Sequence, residues 1–294
     1  MTENGDNMRI SEFWKDYECL DAGNGEKLER FGNVILRRPD PGAMWNVQDY
    51  TEWNSANAVY VRRDTGGGEW NKKINMPDSW NIQYKELTFK ISLTNFKHTG
   101  IFPEQAINWD YEMEKIKTAG RKIKVLNLFA YTGGATIACS KAGAEVVHVD
   151  SSKGMVHWAQ ENAVLSKVDG NVIRYIVEDC LKFVNREIRR GNKYDAIIMD
   201  PPSFGRGPKG EVWKFEDSLY ELINLCLQVL SDKPLFLLIN SYTTGISHVV
   251  LNNILETTIN KKYKGNVITG EIGLPIRRDK LILPCGIYGI WESK

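Results

Sequence analysis

The glycine pair Gly133-Gly134 follows an apolar run at residues 124–129, and a helical pattern begins at once. Glycines let the backbone approach a ligand closely, and the first N–H groups of a helix can bind a negative group. About 20 residues further on, the next apolar run ends in Asp150, where an α/β sheet directs a carboxylate at ribose hydroxyls. This spacing predicts a nucleotide-like binding site, although the glycine pair alone is also consistent with a turn needed only for packing.

Two more acidic residues follow apolar runs. Asp179 comes after the third run, within reach of the base of a nucleotide, but it can also cap the next helix. The fourth run enters the corner Asp200-Pro201-Pro202. Prolines lack the backbone N–H donor and leave nearby carbonyls free to accept from a substrate, while Phe204 can stack on a planar group. The corner predicts a substrate site, and the alternative is a stiff turn.

These residues must be positioned by the elements around them. Up to about residue 110, alternating apolar runs and glycine turns predict β-hairpins. Beyond it, apolar strands alternate with helical stretches, which is typical of βαβ units and a parallel sheet. The predicted strands of this second part are 124–129, 145–150, 172–177, 195–200, 234–240, 266–274 and 287–291. The sequence therefore predicts a small β-rich domain at 1–110 and an α/β domain at 111–294.

The composition excludes several classes of protein. Of the 294 residues 42% are hydrophobic, which predicts a full core, and the net charge of +1 argues against a polybasic surface over the whole protein. The five cysteines show no zinc spacing, so no metal site is predicted. The first residues lack a signal-peptide pattern, and no apolar run reaches the roughly 20 residues that span a bilayer. We expect a cytoplasmic protein without a membrane partner.

The sequence from about residue 96 to residue 291 resembles class I S-adenosylmethionine-dependent methyltransferases, in particular relatives of the bacterial 23S ribosomal RNA methyltransferases that form 5-methylcytosine or 7-methylguanine. Residues 127–134, Asp150, Asp179 and 200–204 match the successive motifs of the family. The resemblance implies a Rossmann-like α/β sheet of seven strands, the last antiparallel, preceded by a small β-rich domain. It implies S-adenosylmethionine as cofactor, with the methionine carboxylate near the glycine turn, ribose on Asp150 and adenine near Asp179.

Residues 98–105 resemble the family's threonine-glycine-aromatic segment, which helps to close the cofactor pocket. Thr99 and Gly100 match it, whereas the roles of His98 and Gln105 stay open because the sequence between them departs from the commoner version. The alternative is an interdomain linker. The candidate cofactor-binding residues are Thr99, Gly100, Asn127, Phe129, Ala130, Tyr131, Thr132, Gly133, Gly134, Asp150, Ser151, Asp179, Cys180 and Asp200, and the candidate catalytic residues are Asp200, Pro201, Pro202 and Phe204.

The N-terminal part, over about residues 19–97, resembles the small β domain that precedes the catalytic domain in these enzymes. The RNA-binding domain that some relatives carry before it has no counterpart in the sequence. Six of the nine tryptophans precede residue 111, among basic pairs such as Arg62-Arg63. Aromatic and basic residues together suit stacking on unpaired bases and binding of phosphates, which predicts a substrate-binding role. The alternative is that these tryptophans form the core of the small domain.

Methyl transfer from a sulfonium is an in-line displacement, so the main task of the protein is to hold donor and acceptor in line. Asp200 and the Pro201 carbonyl can orient a base nitrogen, with Phe204 stacking on the extruded base. Relatives that form 5-methylcytosine need a cysteine nucleophile, and the segment where they carry it, residues 240–244, contains none. We therefore expect methylation of a base nitrogen in RNA, with ribosomal RNA favoured and without a covalent intermediate.

Three alternatives stay open. The acceptor can instead be an amine of a protein or a small molecule. A nucleotide-dependent dehydrogenase would need the fuller Gly-x-Gly-x-x-Gly turn, of which only Gly133-Gly134 is present. A non-catalytic RNA-binding protein on the same fold would have lost its affinity for the cofactor. The oligomeric state, monomer or homodimer, is also open.

Overall fold

A computed structural model of the chain describes residues 8–63, 67–207 and 210–294. The chain forms two compact units. Unit 1 contains Asn108–Ile272, Gly286–Lys294 and the described residues 8–9, and unit 2 contains Ile10–Ile107 and Gly273–Cys285. The division before Asn108 lies close to the predicted boundary at residue 110. Contrary to the predicted domain at 111–294, however, Gly273–Cys285 groups with unit 2.

Strands predominate up to residue 92, and helices and strands largely alternate from residue 106 to residue 257. The strands are β1 (Met8–Ile10), β2 (Tyr17–Gly23), β3 (Glu26–Phe31), β4 (Val34–Pro39), β5 (Ala58–Arg62), β6 (Gly68–Lys72), β7 (Ser79–Tyr84), β8 (Leu87–Ser92), β9 (Lys124–Leu128), β10 (Glu145–Asp150), β11 (Ile173–Val177), β12 (Ala196–Met199), β13 (Phe204–Arg206), β14 (Val212–Lys214), β15 (Phe236–Ser241), β16 (Gly265–Pro275) and β17 (Ile282–Ser293). The α-helices are α1 (Ala106–Thr118), α2 (Gly134–Lys141), α3 (Lys153–Leu165), α4 (Cys180–Arg190), α5 (Phe215–Val229), α6 (His248–Thr257) and α7 (Ile259–Lys262). Short 3-10 helices cover Glu52–Ser55 and Pro103–Gln105.

The core of unit 1 is a sheet with the strand order β1-β16-β17-β15-β12-β9-β10-β11. Strands β9, β10, β11, β12 and β15 pair in parallel, and β17 pairs antiparallel with β15. The predicted α/β fold with an antiparallel last strand is confirmed. Among the described residues the sheet has eight strands instead of seven, because β1 joins its edge beside β16. The order reverses between β9 and β12, and ligands of open α/β sheets bind beyond the carboxyl ends of the strands at such a point.

Helices α4, α5 and α6 cover one face of this sheet. Alternate strand residues, such as Leu126 and Leu128 of β9, cluster with Phe183 of α4 because successive side chains of a strand point to opposite faces. On α5, Leu219, Leu222, Ile223 and Cys226 are all buried and form the face that packs on the sheet. Each fully buried Leu or Ile contributes about 1.5–3 kcal/mol to stability. Among the described residues, no helix has the length and apolar character needed to cross a membrane.

Unit 2 is built from a five-stranded sheet, in the order β2-β3-β4-β5-β6, and the hairpin β7-β8. Strand β4 alternates buried and half-buried residues, as expected for a sheet with one covered face. Residues 273–285 join this unit through backbone pairing with β2. The N–H of Arg277 donates to the Cys19 carbonyl over 2.9 Å, and Arg278 forms an ion pair with Asp49 over 2.7 Å. These pairings join residues far apart in the chain, so a domain boundary predicted from the local pattern of apolar and turn residues could not include this segment.

Glu112 is a buried carboxyl group of unit 1. Glu112 on α1 is 1% exposed, and the thiol of Cys139 on α2 donates to its Oε2 over 3.6 Å. Burial raises the pKa of Glu112 to about 8, against smaller opposing effects of the Cys139 hydrogen bond and the charge of Arg9. In the unfolded chain the ordinary pKa is 4.5. Between these two values the folded protein holds a proton that the unfolded chain has lost, so the stability conferred by this group falls as the pH rises.

The free energy of unfolding should therefore decrease as the pH rises from about 5 to about 8, by up to about 1.4 kcal/mol per pH unit for this proton. Glu112→Gln keeps the side-chain volume and cannot ionise, so its stability should vary less with pH and exceed that of the native protein above about pH 8. Urea unfolding followed by circular dichroism measures both. The matched control is Glu114→Gln, an exposed site on the same helix. A Glu112→Gln protein with the native pH profile would contradict the assignment.

Candidate active site

The turn between β9 and α2 has an uncommon backbone conformation. Three alternate residues, Phe129, Tyr131 and Gly133, have positive φ angles of 53°, 49° and 87°. A left-handed conformation costs a non-glycine residue about 1–2 kcal/mol, so it persists only where surrounding contacts enforce it. Gly133 is the N-cap of α2 and provides no side-chain cap. The first N–H groups of the helix are therefore oriented towards the turn, where they can bind a negative group.

Both glycines of the turn are also required by packing. A Cβ at Gly133 would lie 2.9 Å from the Cβ of Ala159 on α3, and a Cβ at Gly134 would lie 2.6 Å from the ring of Trp109 on α1. Packing alone therefore requires glycine at both positions, as one interpretation of the sequence proposed. The positive φ angles and the uncapped helix are the additional features that indicate a ligand site.

Neighbouring elements hold the turn in its shape. The N–H of Tyr131 donates to Asp150 Oδ2 over 2.9 Å, and the N–H of Ala130 donates to a backbone carbonyl of β10 over 3.0 Å. From α3, the side-chain amide of Asn162 donates to the Thr132 carbonyl over 3.0 Å. The conformation of the turn is therefore fixed from two sides by groups that do not belong to it.

Asp150 occupies the carboxyl end of β10, as predicted. Its Oδ1 accepts from the N–H of Ser152 over 2.8 Å, and its Oδ2 accepts from the turn. Burial raises the pKa of Asp150, although the hydrogen bonds from Ser152 and Tyr131 oppose this effect. Each carboxylate oxygen can accept a second hydrogen bond, so the group can still bind ligand hydroxyls. Ser151 is exposed beside it.

Asn127 lies below the turn, in the interior of the sheet. It is 3% exposed, and its amide donates to Thr136 Oγ1 on α2 over 2.9 Å. The same hydroxyl lies 2.9 Å from Nδ1 of the buried His148 on β10, whose pKa is lowered to about 3 by burial. Asn127 therefore joins β9 and α2 in a buried polar chain, with β10 contributing a neutral imidazole. Its contact with the turn is indirect.

Asp179 and Cys180 stand at the carboxyl end of β11. Asp179 is the N-cap of α4, and its Oδ1 accepts from the N–H of Lys182 over 3.0 Å. The capping role considered from the sequence is therefore present and uses one of its two oxygens. The buried thiol sulfur of Cys180 accepts from the N–H of Phe129 over 3.3 Å. This contact brings the third strand end against the turn after β9.

The corner after β12 is rigid and partly exposed. Pro201 is buried, whereas Pro202, Ser203 and Phe204 are exposed. The prediction that the carbonyls of the corner are free is wrong for Pro202, because the indole N–H of Trp213 donates to it over 2.7 Å. No hydrogen bond from the described residues reaches the Pro201 carbonyl. Of the pair, the Pro201 carbonyl is therefore the one with its full acceptor capacity left among the described residues.

Trp213 is a site residue that the sequence did not reveal. It lies on β14, is 5% exposed, and its ring centroid is 4.8 Å from that of Phe129 in the turn. A proline has φ fixed by its ring, so the hydrogen bond to the carbonyl of Pro202 fixes the remaining soft dihedral, ψ, of that residue. The N–H of Phe215 donates a hydrogen bond to the Ser203 carbonyl over 3.0 Å, which fixes the next peptide as well. Trp213 thus fixes the corner after β12 and also contacts the turn after β9.

The segment 240–244 lies at the carboxyl end of β15, beside the corner. The hydroxyl of its residue Thr243 lies 2.9 Å from the hydroxyl of Ser203. No cysteine is present in it, and the cysteines elsewhere are poor nucleophiles because burial raises the pKa of every one of these thiols. They are Cys19, Cys139, Cys180, Cys226 and Cys285.

The residues of the predicted threonine-glycine segment belong to unit 2. Thr99 is fully buried, and its hydroxyl has no hydrogen-bond partner among the described residues, while Gly100 has a φ of 96°. His98 has its pKa lowered to about 4 by burial, and Gln105 is buried. Their predicted part in closing the cofactor pocket stays a prediction.

The tryptophans of unit 2 are used by the fold. Each indole N–H donates to an acceptor within the unit, and the ring of Trp53 is only 2% exposed. The donors and acceptors are Trp14 to Pro103, Trp45 to Ala22, Trp53 to Asp21, Trp70 to Phe96 and Trp80 to Phe31. These hydrogen bonds favour the interpretation of the tryptophans as packing residues. Arg63 forms an ion pair with Glu69, whereas Arg62 forms none with a carboxylate of the described residues.

Known proteins share this arrangement. A methyltransferase structure from Streptococcus mutans superposes with a TM-score of 0.73 over 95% of this chain and 76% of its own, at 17% identity, which shows the fold alone. The ribosomal RNA large subunit methyltransferase K/L of Colwellia psychrerythraea is 29% identical over 150 residues, or 51% of this chain. That stretch is 20% of the relative, so this chain matches about one fifth of its length.

Two further comparisons cover more of the chain. The crystal structure of the S-adenosylmethionine-dependent methyltransferase from Agrobacterium tumefaciens has a TM-score of 0.93 and 36% identity, over 100% of this chain and 98% of its own. Residues 57–253 match the family described as S-adenosylmethionine-dependent methyltransferase. With the motifs at the carboxyl ends of β9, β10, β11 and β12, these matches show that the chain belongs to the S-adenosylmethionine-dependent methyltransferases.

Proposed function

We propose that this enzyme transfers the methyl group of S-adenosylmethionine to a nitrogen of an RNA base, with ribosomal RNA as the favoured substrate. The observation that carries the proposal is the corner after β12, where a carboxylate, an unoccupied carbonyl and an exposed aromatic ring follow one another at Asp200, Pro201 and Phe204. The resemblance to a ribosomal RNA methyltransferase over half of this chain supports the choice of RNA.

The residues around the turn suit the cofactor. The uncapped N-terminus of α2 suits a carboxylate, because helix N–H groups and the helix dipole favour anions there. The spare acceptor capacity of Asp150 suits ribose hydroxyls. Asp179 has one oxygen on the cap of α4 and a second that accepts no hydrogen bond from the described residues, which suits the adenine amine. When bound, the cofactor supplies a methyl group on a positively charged sulfur.

The corner suits an amine acceptor. A base amine has two N–H donors, which the Asp200 carboxylate and the Pro201 carbonyl can accept, so that the nitrogen lone pair points at the methyl group. Phe204 is 53% exposed and offers a ring face to a base that has left its stack. As the N–C bond forms and the C–S bond breaks, the amine becomes cationic and loses a proton to Asp200 or to water.

Direct transfer to nitrogen agrees with the state of the cysteines. A thiolate is the nucleophile in covalent catalysis, and a thiol whose pKa is raised by burial stays protonated at neutral pH. Cys180 is the cysteine next to the turn, and burial raises its pKa well above the ordinary range. Its sulfur also accepts the N–H of Phe129, so it serves the fold.

We also propose that unit 2 contributes to substrate binding. Arg62 on β5 is exposed and forms no ion pair with a described residue, so its guanidinium can bind a phosphate. Because the tryptophans of unit 2 are packed within the fold, we expect unit 2 to bind RNA through its charges and not through stacking on bases. The cytoplasmic location predicted from the sequence stays a prediction.

Asp150→Asn should weaken S-adenosylmethionine binding by about 10- to 100-fold, or 1–3 kcal/mol, because an amide nitrogen cannot accept the hydrogen bonds that a carboxylate oxygen accepts. Isothermal titration calorimetry measures the Kd. Glu145→Gln, an exposed site at the opposite end of β10, is the matched control and should bind normally. An Asp150→Asn protein that binds within twofold of the native protein would remove Asp150 from the site.

Trp213→Phe should lower kcat about tenfold and leave the Kd for S-adenosylmethionine within about twofold, because it keeps the ring against Phe129 and loses the roughly 1 kcal/mol hydrogen bond that fixes Pro202. Trp291→Phe is the control, since this buried indole N–H also donates to a carbonyl, that of Tyr263. Trp291 pairs with Leu237 at the amino end of β15, away from the corner. Equal kcat losses in both variants would reduce Trp213 to a stabilising residue.

Radiolabelled S-adenosylmethionine should label RNA from a strain that lacks the enzyme, and nucleoside mass spectrometry should locate the methyl group on a base nitrogen. Asp200→Ala should lose about 100-fold in kcat while binding the cofactor, because the acceptor loses its orientation. The exposed Asp232→Ala is the control. Label in protein or a small molecule, with none in RNA, would decide for the alternative acceptors.

RNA that contains 5-fluorocytosine should form no denaturation-resistant adduct with the enzyme, since no thiolate is positioned to attack the base. The adduct is sought on a denaturing gel after incubation with S-adenosylmethionine. An adduct that Cys180→Ala abolishes would overturn direct transfer and establish covalent catalysis.

A further inference from the structure

The short ribbon formed by β13 and β14 begins directly after the acceptor corner. Its antiparallel register pairs Phe204 with Lys214 and Arg206 with Val212, and between these pairs lie Gly205 and Trp213. Successive side chains of a strand point to opposite faces. The first four residues therefore share one face of the ribbon, which we call the outer face, and the last two share the other.

The inner face fixes the ribbon to the rest of unit 1. Trp213 is buried there against Phe129 and Pro202. Glu211, just before β14, forms an ion pair with Lys182 on α4. With the ribbon held at both points, the side chains of its outer face are presented at a defined place beside the corner.

The outer face carries groups that the fold does not use. Phe204 is 53% exposed and Val212 is 55% exposed. The guanidinium of Arg206 lies 6.0 Å from the ring centroid of Phe204 and forms no ion pair with a described carboxylate. Lys214 lies 3.6 Å from Asp217, but both side chains are more than half exposed, and such pairs contribute little. Two cations thus flank an exposed aromatic ring.

We propose that the outer face binds the backbone of an unpaired RNA strand on the two sides of the target nucleotide, with Arg206 and Lys214 each contacting a phosphate and Phe204 between them. The proposal rests on the proposed function and adds a requirement, that the target lies in unpaired RNA. Arginine and lysine both bind phosphate, the former through a planar fork and the latter as a point charge.

The geometry of the ribbon favours this occupant. Directly paired residues of an antiparallel ribbon have Cβ atoms about 4.5–5.5 Å apart, so Lys214 lies beside the ring of Phe204. Arg206 lies two residues along the same strand, with its guanidinium 6.0 Å from the centroid of the ring. A base inside a duplex is stacked on its neighbours and cannot reach a ring at the corner without leaving the stack, whereas a base in a loop is free to do so.

The test is the salt dependence of methylation of a single-stranded RNA that contains the mapped target nucleotide. Each phosphate contact to a single strand contributes about 0.7 to the slope of log affinity against log salt. Arg206→Ala and Lys214→Ala should each raise KM about 5- to 10-fold at low salt and reduce this slope by about 0.7, and the double variant by about 1.4, with kcat within about twofold. Arg206→Lys should keep the native slope, because it keeps the charge.

The matched control is Arg189→Ala with Lys261→Ala, an exposed arginine and an exposed lysine elsewhere in unit 1. Cofactor affinity, measured by calorimetry, should stay native in every variant. If the native enzyme methylates RNA and the Arg206 and Lys214 variants keep the native KM and slope, the proposed phosphate contacts are wrong while the proposed function stands. If the same target in a perfect duplex is methylated equally well, the requirement for unpaired RNA is wrong. A native enzyme that methylates no RNA would remove the proposed function itself.

Discussion

The hydrogen bond from the N–H of Tyr131 to the Asp150 carboxylate joins the two halves of the candidate cofactor site. Without an acceptor at the end of β10, this N–H of the turn would lose its partner. The contact that helps to hold two non-glycine residues of the turn at positive φ would then be absent. Each such residue costs about 1–2 kcal/mol, and the strain is offset by contacts from β10 and α3. A group proposed to bind ligand thus also shapes the surface on which the ligand lies.

The two ends of the parallel sheet are organised differently. At the carboxyl ends, backbone and side-chain polar groups are left with unused acceptor or donor capacity, as at Asp150, Asp179 and Pro201. At the amino ends, polar groups are satisfied by one another: the N–H of Lys124 donates to Asp195, which also forms an ion pair with Arg121. Unsatisfied polar capacity costs free energy unless a ligand or water uses it. The spare acceptors at Asp150, Asp179 and Pro201 therefore support the proposed ligand site at the carboxyl ends.

Hydrophobic periodicity predicted seven of the eight described strands of the sheet, because a buried strand is a short apolar run; the run at 124–129 corresponds to β9 at Lys124–Leu128. The edge strand β1 was missed, since its three residues are only half-buried. The acidic residues at the strand ends were found for the same reason. What could not be predicted depends on pairing between distant residues. The occupied carbonyl of Pro202 needs Trp213, eleven positions further on, and no local pattern indicates that β13 and β14 fold back on each other. For Asp179 the sequence allowed a cap or a ligand contact, and only the hydrogen bond to Lys182 assigns one oxygen to the cap.

The membership of Gly273–Cys285 in unit 2 has a consequence for the order in which the chain can fold. On a ribosome, residues 10–107 emerge long before their partners at 273–285, and folding that depends on contacts between distant residues is slow and leaves surface exposed meanwhile. The hydrogen bond from the N–H of Arg277 to the carbonyl of Cys19 can form only after Arg277 is synthesised, some 250 residues later. Unit 1 needs no such early segment for its parallel strands, since β9 to β15 are contiguous in the chain. The small unit, although its synthesis begins first, can therefore be completed only after residues 108–272 of unit 1 have been made, and its early strands stay without this partner segment until then.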